Sequence, residues 1–183
     1  MRRLVIETAT SACSVALIEN GAVIASDAAV VGRGHAERLM PMIAALPDGG
    51  RADEIWVDCG PGSFTGIRVG IAAARGLGFG WGVPAHGFSS MALIAADWFE
   101  RDDGDAVTVV IEGGHGEKFV QSFLNNPLRE ASSLMSVLAA DVLNDGPCAD
   151  DIAPDARRAI LLADAPLPTR PIYGRAPDAK PMV

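Results

Sequence analysis

The sequence predicts an α/β fold, and three stretches of it carry that expectation. The first is a run of short apolar segments, Leu4-Val5-Ile6, Ser14-Val15-Ala16-Leu17-Ile18 and Val23-Ile24-Ala25. Thr8-Ala9-Thr10-Ser11-Ala12 joins the first two as a polar turn, and Asn20-Gly21 is a strong hairpin signal before the third, so three antiparallel strands open the chain. The second is 35–46, where Leu39, Met42, Ile43 and Leu46 recur at i, i+3, i+4 and i+7 as in an amphipathic helix; Pro41 should kink it or cost it a hydrogen bond. The third is Glu54-Ile55-Trp56-Val57, a buried strand that enters a helix through Asp58-Cys59-Gly60-Pro61-Gly62-Ser63-Phe64-Thr65-Gly66.

A strand that meets a helix through a glycine-rich turn leaves backbone N–H groups at the helix start, free to hold an anion or to let another backbone come close. Here the spacing is G-x-G-x-x-x-G, one residue too long for a dinucleotide fingerprint, and no Lys follows as a P-loop requires. Ser63 lacks the Gly two residues before it that a nucleophile elbow needs. The helix runs on to about Phe79. At 100° per residue Gly66, Gly70, Ala73, Ala74 and Leu77 share one face, and Arg68, Ile71, Ala72, Arg75 and Phe79 the other. Interior glycines cost about 1 kcal/mol each relative to Ala, so the small face should bring the helix very close to its sheet. The opposite face, apolar side chains framed by arginines, has the composition of an interface.

Further along, 83–87 reads as a short edge or crossover segment and 91–100 as another helix. The charged run Arg101-Asp102-Asp103-Gly104-Asp105 is the expected lobe boundary, dividing 1–100 from 101–183. Val107–Ile111 and Phe119–Leu124 are expected strands joined by the loop Glu112–Glu117. Ser132-Ser133 can cap a short helix to about Leu143, and 155–163 looks like one more. From Pro166 the tail is proline-rich and should run extended.

With 183 residues, 49% of them hydrophobic, and 20 glycines, the chain suits a packed α/β protein and not a disordered one. A net charge of −8 makes it a poor stand-alone binder of nucleic acid. Cys13, Cys59 and Cys148 are odd in number and far apart, which indicates neither a disulfide framework nor a zinc site. Glu7 ends the first apolar run too early for a signal peptide, and nowhere do 18 apolar residues run together. The expectation is a cytoplasmic protein. Glu7-Thr8-Ala9-Thr10-Ser11 could be a phosphate-cradling turn, since it sets a carboxylate at a strand end beside hydroxyls and backbone N–H groups. His35, His86 and His115 stand at no metal-ligand spacing, and no Ser/His/Asp or Cys/His set can be assigned.

Ile6-Glu7-Thr8-Ala9-Thr10 with Cys13-Ser14-Val15-Ala16-Leu17, then His35 with Leu39 and Pro41, then Gly60-Pro61-Gly62-Ser63-Phe64-Thr65-Gly66-Ile67-Arg68 closely resembles the TsaB (YeaZ) family. The tail Tyr173-Gly174-Arg175-Ala176-Pro177-Asp178-Ala179-Lys180-Pro181 is similar to that family's C-terminus, whereas the middle of the second half matches poorly. The resemblance implies an actin/Hsp70/sugar-kinase-like (ASKHA) fold of two related lobes, the second reduced. It implies a non-catalytic partner of TsaD, the paralogue that keeps the metal and nucleotide site, acting with the ATPase TsaE. Together these install threonylcarbamoyl on the adenosine beside the tRNA anticodon. It further implies no catalytic residue, metal or cofactor in this chain, and tRNA contact only through the complex.

By the same resemblance the partner surface is formed by His35, Arg38, Leu39, Met42 and Ile43 of one helix with Arg68, Ile71, Ala72, Arg75 and Phe79 of the next. The same face can make a homodimer. Glu7, Thr8, Thr10, Gly60, Gly62 and Ser63 are expected to form a vestigial phosphate loop. The competing classes are an active ASKHA phosphotransferase and an M22-type metallo-glycopeptidase. The chain departs from the family at Glu112-Gly113-Gly114, where an Asp-Ala-Arg-like turn is common, and in the short 143–155 segment.

Overall fold

Along the opening strands successive side chains point to opposite faces of one sheet, and that alternation sets the layers. The computed structural model describes residues 1–142, 146–162 and 166–174. Strands β1 (Arg2–Glu7), β2 (Ala12–Glu19) and β3 (Ala22–Val30) are antiparallel neighbours, and β4 (Glu54–Asp58) and β5 (Ala85–Phe88) continue the sheet parallel to β1 in the order β3-β2-β1-β4-β5. Leu4, Ile6, Val15, Leu17, Ile55 and Val57 face helices α1 (His35–Ala45) and α2 (Phe64–Trp81). Val5, Ala16, Ile18 and Trp56 face the other way, onto Leu93 of α3 (Ser90–Phe99) and Ala156 and Ala159 of a short 3₁₀ turn.

Helix α3 is apolar nearly all round because both of its sides are covered. Met91, Ile94 and Ala95 pack on Val107, Val109, Phe119 and Phe123 of a second sheet. That sheet comprises β6 (Ala106–Gly114), β7 (Glu117–Leu124), β8 (Arg129–Glu130), β9 (Met135–Leu138) and β10 (Cys148–Ala149), with β8 and β9 both paired to β7. Asp97 of α3 is buried and meets Arg158 of the 3₁₀ turn at 2.8 Å, tying that turn to the helix.

The strands and helices of the first half lie where the sequence places them. The second half differs in four places. The expected loop Glu112–Glu117 is a two-residue turn, His115-Gly116, with φ of +55° and +79°, the geometry that matches hairpin twist. The helix expected after Ser132-Ser133 is strand β9 followed by a 3₁₀ turn at Ala139–Asp141, because β7 offers a free edge that 135–138 can pair; Leu143 lies outside the described residues. The helix expected over 155–163 is a 3₁₀ turn, Ala156–Leu161, capped by Asp155, which accepts from the Arg157 N–H at 2.9 Å. Its buried residues, Ala156 and Ala159, repeat every third position, the period of a 3₁₀ helix and not of an α-helix. The tail, expected to run extended, bridges Leu167 to Gly87 and then turns tightly, the Arg170 N–H donating to the Pro168 carbonyl at 2.7 Å with bends at Thr169 and Gly174, because its side chains and amides are drawn to α2 and Cys59; the rest of its motif, 175–181, lies outside the described residues.

The small residues of α2 do different work at different positions. A Cβ on Gly66 would overlap the Thr8 carbonyl oxygen and one on Gly70 the Thr8 hydroxyl, whereas Gly76 and Gly80 face open space. Gly66→Ala should therefore destabilise the protein by roughly 1–3 kcal/mol or more through overpacking. Gly76→Ala should stabilise it by up to about 1 kcal/mol, the helix-propensity difference. Denaturant titration of both variants checks the pair; equal effects would contradict the close approach of α2 to β1.

Candidate functional site: a closed glycine turn and an exposed helix face

The glycine turn lies against the β1–β2 turn, and each holds the other. The Ser63 N–H donates to the Ala9 carbonyl at 2.5 Å, the Ser63 hydroxyl caps α2 by accepting from the Gly66 N–H at 3.2 Å, and the Thr8 hydroxyl donates to the Gly66 carbonyl at 2.8 Å. A Cβ on Gly62 would overlap the Ala9 carbonyl oxygen. Gly60, at φ +98°, has Ile67 and the Ile172 carbonyl where a side chain would go. From the other side the His35 Nε2–H donates to the carbonyls of Thr10 and Ala12, at 2.9 and 3.0 Å. The structure thus brings Glu7, Thr8, Thr10, Gly60, Gly62 and Ser63 together. The turn is closed on itself, with the Ala9 and Thr8 carbonyls lying against Gly62 and Gly66. His35, predicted for the partner surface, is instead a buried clamp on this turn.

Beneath the turn lies a pair of carboxylates. Glu7 and Asp58 end the adjacent parallel strands β1 and β4, next in register after Ile6 and Val57, and both are fully buried. Glu7 accepts from the Ala9 N–H at 2.8 Å and from the Ser14 hydroxyl at 3.3 Å. Asp58 accepts through Oδ1 from the Gly60 N–H and the Ser90 hydroxyl, both at 2.7 Å, and its Oδ2 has no hydrogen-bond partner among the described residues. Burial pushes Asp58 up to about 7. Burial, then the charge of Asp58, holds Glu7 well above the ordinary carboxylate range. Two such groups without a cation hold a proton at neutral pH. Sequence reading missed this pair, although each strand visibly ends in an acidic residue. Burial also pushes the Cys13 and Cys59 thiols up to about 11 and 12, leaving neither as a ready nucleophile.

The outer face of α2 is the other candidate. Phe64, Arg68, Ala72, Arg75 and Phe79 are exposed, Phe79 at 93% and Phe64 at 54%. Ile71, predicted to lie among them, is in the core; with Ile67 one turn before, it widens the inward apolar arc beyond the small residues. Leu39, Met42 and Ile43 of α1 are likewise core residues and not partner surface, while Arg38 and Met40 are exposed. The arginines do not reach outward freely. Arg68 lies 3.5 Å from the centre of the Phe64 ring and donates through Nε and Nη2 to the Tyr173 hydroxyl, at 3.3 and 3.1 Å. Arg75 donates through Nε to the Thr169 hydroxyl at 3.1 Å and through Nη2 to the Thr169 carbonyl.

Tyr173 and Thr169 belong to the tail, which pairs Leu167 with Gly87, donates from the Ile172 N–H to the Cys59 carbonyl at 2.7 Å, and sets Gly174 against the Phe119 ring. The course of this strap was not legible in the sequence, since no local pattern names its partners.

A sheet ordered β3-β2-β1-β4-β5, antiparallel then parallel, with helices after β3 and β4, defines an ASKHA-like α/β protein. The family model of TsaD, tRNA N6-adenosine threonylcarbamoyltransferase, matches residues 23–148, and the chain belongs to the TsaB (YeaZ) branch of that family. An uncharacterised protein of Mycobacterium tuberculosis is 32% identical over 205 aligned positions, spanning 98% of this chain and 94% of its own. The Escherichia coli tRNA threonylcarbamoyladenosine biosynthesis protein TsaB is 36% identical over 124, covering 65% of this chain but 53% of the relative, so the match spans about half of that protein. A Pseudomonas aeruginosa crystal structure, described as similar to the peptidase YeaZ, superposes with a TM-score of 0.82 at 25% identity over 95% of this chain and 99% of its own.

The acid pair sets a pH dependence. Its folded pKa values lie above the unfolded ones, so its contribution to stability is full below about pH 4, the ordinary carboxylate range, and is lost as pH rises through about 7. Wild-type protein should lose stability between pH 5 and 8. Asp58→Asn keeps the acceptor for Ser90 and Gly60 and removes one of the two charges, so it should be more stable than wild type at pH 8 and show a shallower slope. Thermal melts across that range check it; parallel curves would contradict a buried protonated pair.

Proposed function

We propose that the protein is a non-catalytic subunit of the machinery that forms threonylcarbamoyladenosine in tRNA, and that it docks a TsaD-type transferase on the outer face of α2. One observation carries this reading: an exposed apolar stripe of Phe64, Ala72 and Phe79 on a helix whose other side is core. Small Ala72 lets a partner helix approach, and the flanking aromatics supply area to bury. The names of the Escherichia coli and Haemophilus influenzae relatives support the pathway.

The closed turn supports the non-catalytic part. The Ser63 amide and the space beside Gly62 and Gly66, which a phosphate would use, are taken by Thr8 and Ala9. In this reading catalysis and metal belong to the transferase, a TsaE-type ATPase joins the assembly, and tRNA is held through the complex in the cytoplasm. Residues 1–100 are the docking lobe and 101–183 the reduced second lobe.

Ala72→Glu tests the surface. A charge placed in the dry centre of an interface without a partner costs roughly 3–5 kcal/mol, a hundredfold or more in affinity. Because Ala72 is exposed, the variant should keep the wild-type circular dichroism and melting temperature while losing capture of the transferase from the same organism. A folded variant that binds with wild-type affinity would place the interface elsewhere.

A further inference from the structure

We propose that the tail strap, residues 166–174, is a latch that opens and closes as one unit. Seated, it caps the edge of β5 and covers Cys59; lifted, it frees both and leaves the two cores intact. Its anchors lie on both sheets. The Gly87 N–H donates to the Leu167 carbonyl at 2.7 Å, the Leu167 N–H returns to the Gly87 carbonyl at 2.8 Å, and the Ile172 N–H donates to the Cys59 carbonyl at 2.7 Å. Two residues further on, Gly174 lies against the ring of Phe119, in the core of the second sheet. Thr169 and Tyr173 add the contacts to Arg75 and Arg68. The seats are shaped for backbone and not for side chains. A Cβ on Gly87 would lie 2.7 Å from the Pro168 carbonyl oxygen, one on Gly60 2.9 Å from the Ile172 carbonyl oxygen, and one on Gly174 would overlap the Phe119 ring.

What holds the strap is polar. None of its residues is buried, and of its side chains only Ile172, partly covered, packs on a hydrophobic core. A segment held by hydrogen bonds near solvent, with little apolar area buried, opens at far lower cost than the core beneath it. Pro166, Pro168 and Pro171 restrict the strap once it lifts, so less backbone freedom is lost when it seats again. Lifting has two consequences. It leaves the Gly87 N–H and carbonyl unpaired on the last strand of the first sheet, an edge able to pair with another extended segment. It also takes the Pro168 carbonyl away from the Cys59 Sγ, 3.8 Å distant in the seated state, and so gives solvent access to a thiol that is otherwise fully buried.

Two buried thiols separate strap opening from unfolding. Cys59 lies under the strap, whereas Cys13, equally buried, is on β2, two strands from β4. The experiment follows N-ethylmaleimide modification of each thiol by peptide mass spectrometry, in increasing urea below the unfolding transition. It compares wild type, Leu167→Pro/Ile172→Pro, which deletes two strap N–H donors, and Gly174→Val, which disturbs the seat on the second sheet. In wild type Cys59 should react about tenfold or more faster than Cys13 and depend less on urea, since lifting the strap exposes less surface than unfolding the core. Both variants should speed Cys59 about tenfold or more, and hydrogen exchange at the Gly87 amide should rise with it. Cys13 reactivity and circular dichroism should stay at wild-type values.

Equal rates and equal urea dependence of the two thiols in wild type would overturn the latch, because the strap would then open only with the core. So would variants that speed both thiols in parallel, which would make the strap part of the folded core, or variants that leave Cys59 unchanged. A proline variant that speeds Cys59 while Gly174→Val does not would refute opening as one unit across the two sheets. The wild-type comparison needs no substitution, so a variant that fails to fold still leaves the latch open to refutation.

Discussion

The contact between the first βα turn and the first hairpin is the constraint from which the rest of the molecule follows. Helix α2 starts where Thr8 and Ala9 present carbonyls and a hydroxyl, so residues 62, 66 and 70 must be glycine for its backbone to come that close. This approach fixes the rotation of α2 about its own axis. Ile67, Ile71 and Ala74 then point into the core, and Phe64, Arg68, Ala72, Arg75 and Phe79 are left outside. The exposed stripe is thus a geometric consequence of the glycine side. A helix seated a residue's rotation away would bury Ala72 and expose Ile71.

Much of this was legible in the sequence because it is local. The Asn20-Gly21 hairpin, the period-2 alternation at Leu4-Val5-Ile6 and Ile55-Trp56-Val57, and the heptad-like spacing from Leu39 to Leu46 each report on neighbours along the chain. The mistakes lie where long-range contacts decide. Ile71 lies at the margin of the outward set read from the sequence, but the helix is turned so that it joins Ile67 and Ala74 in the core. His35, Leu39, Met42 and Ile43 were placed on a partner surface by resemblance, although the apolar stripe of an amphipathic helix is first of all what its own core needs. Residues 135–138 became a strand because β7 had an open edge, a fact absent from the segment's own composition. Arg68 and Arg75 were visible as a pair, but their partners lie 105 and 94 residues away, at Tyr173 and Thr169.

The same closure explains why the buried acids persist. Glu7 and Asp58 lie at the carboxyl ends of parallel neighbours, the end of an α/β sheet where ligands usually bind. Here that end is roofed by the glycine turn, and the acids satisfy protein groups instead. Truncating either side chain to an apolar one would leave the Ser14 or Ser90 hydroxyl and a backbone N–H without an acceptor.

Those hydrogen bonds also reach the two places where the chain passes between its sheets. Asp58 accepts from Ser90, the first residue of α3, and that helix contributes to the cores on both sides. Glu7 accepts from Ser14, whose hydroxyl in turn accepts from the Ala156 N–H at the start of the 3₁₀ turn. The outgoing and the returning connection are thus each fastened to one member of the acid pair. A sheet end that elsewhere in α/β proteins stays open for a ligand is used here as an internal joint. The cost of that use is a carboxylate oxygen without a hydrogen-bond partner among the described residues and a retained proton; the gain is a first sheet, and a glycine turn at the start of α2, tied by hydrogen bonds from behind. Such fastening suits the docking role proposed for α2, since an ordered face loses less entropy when a partner binds.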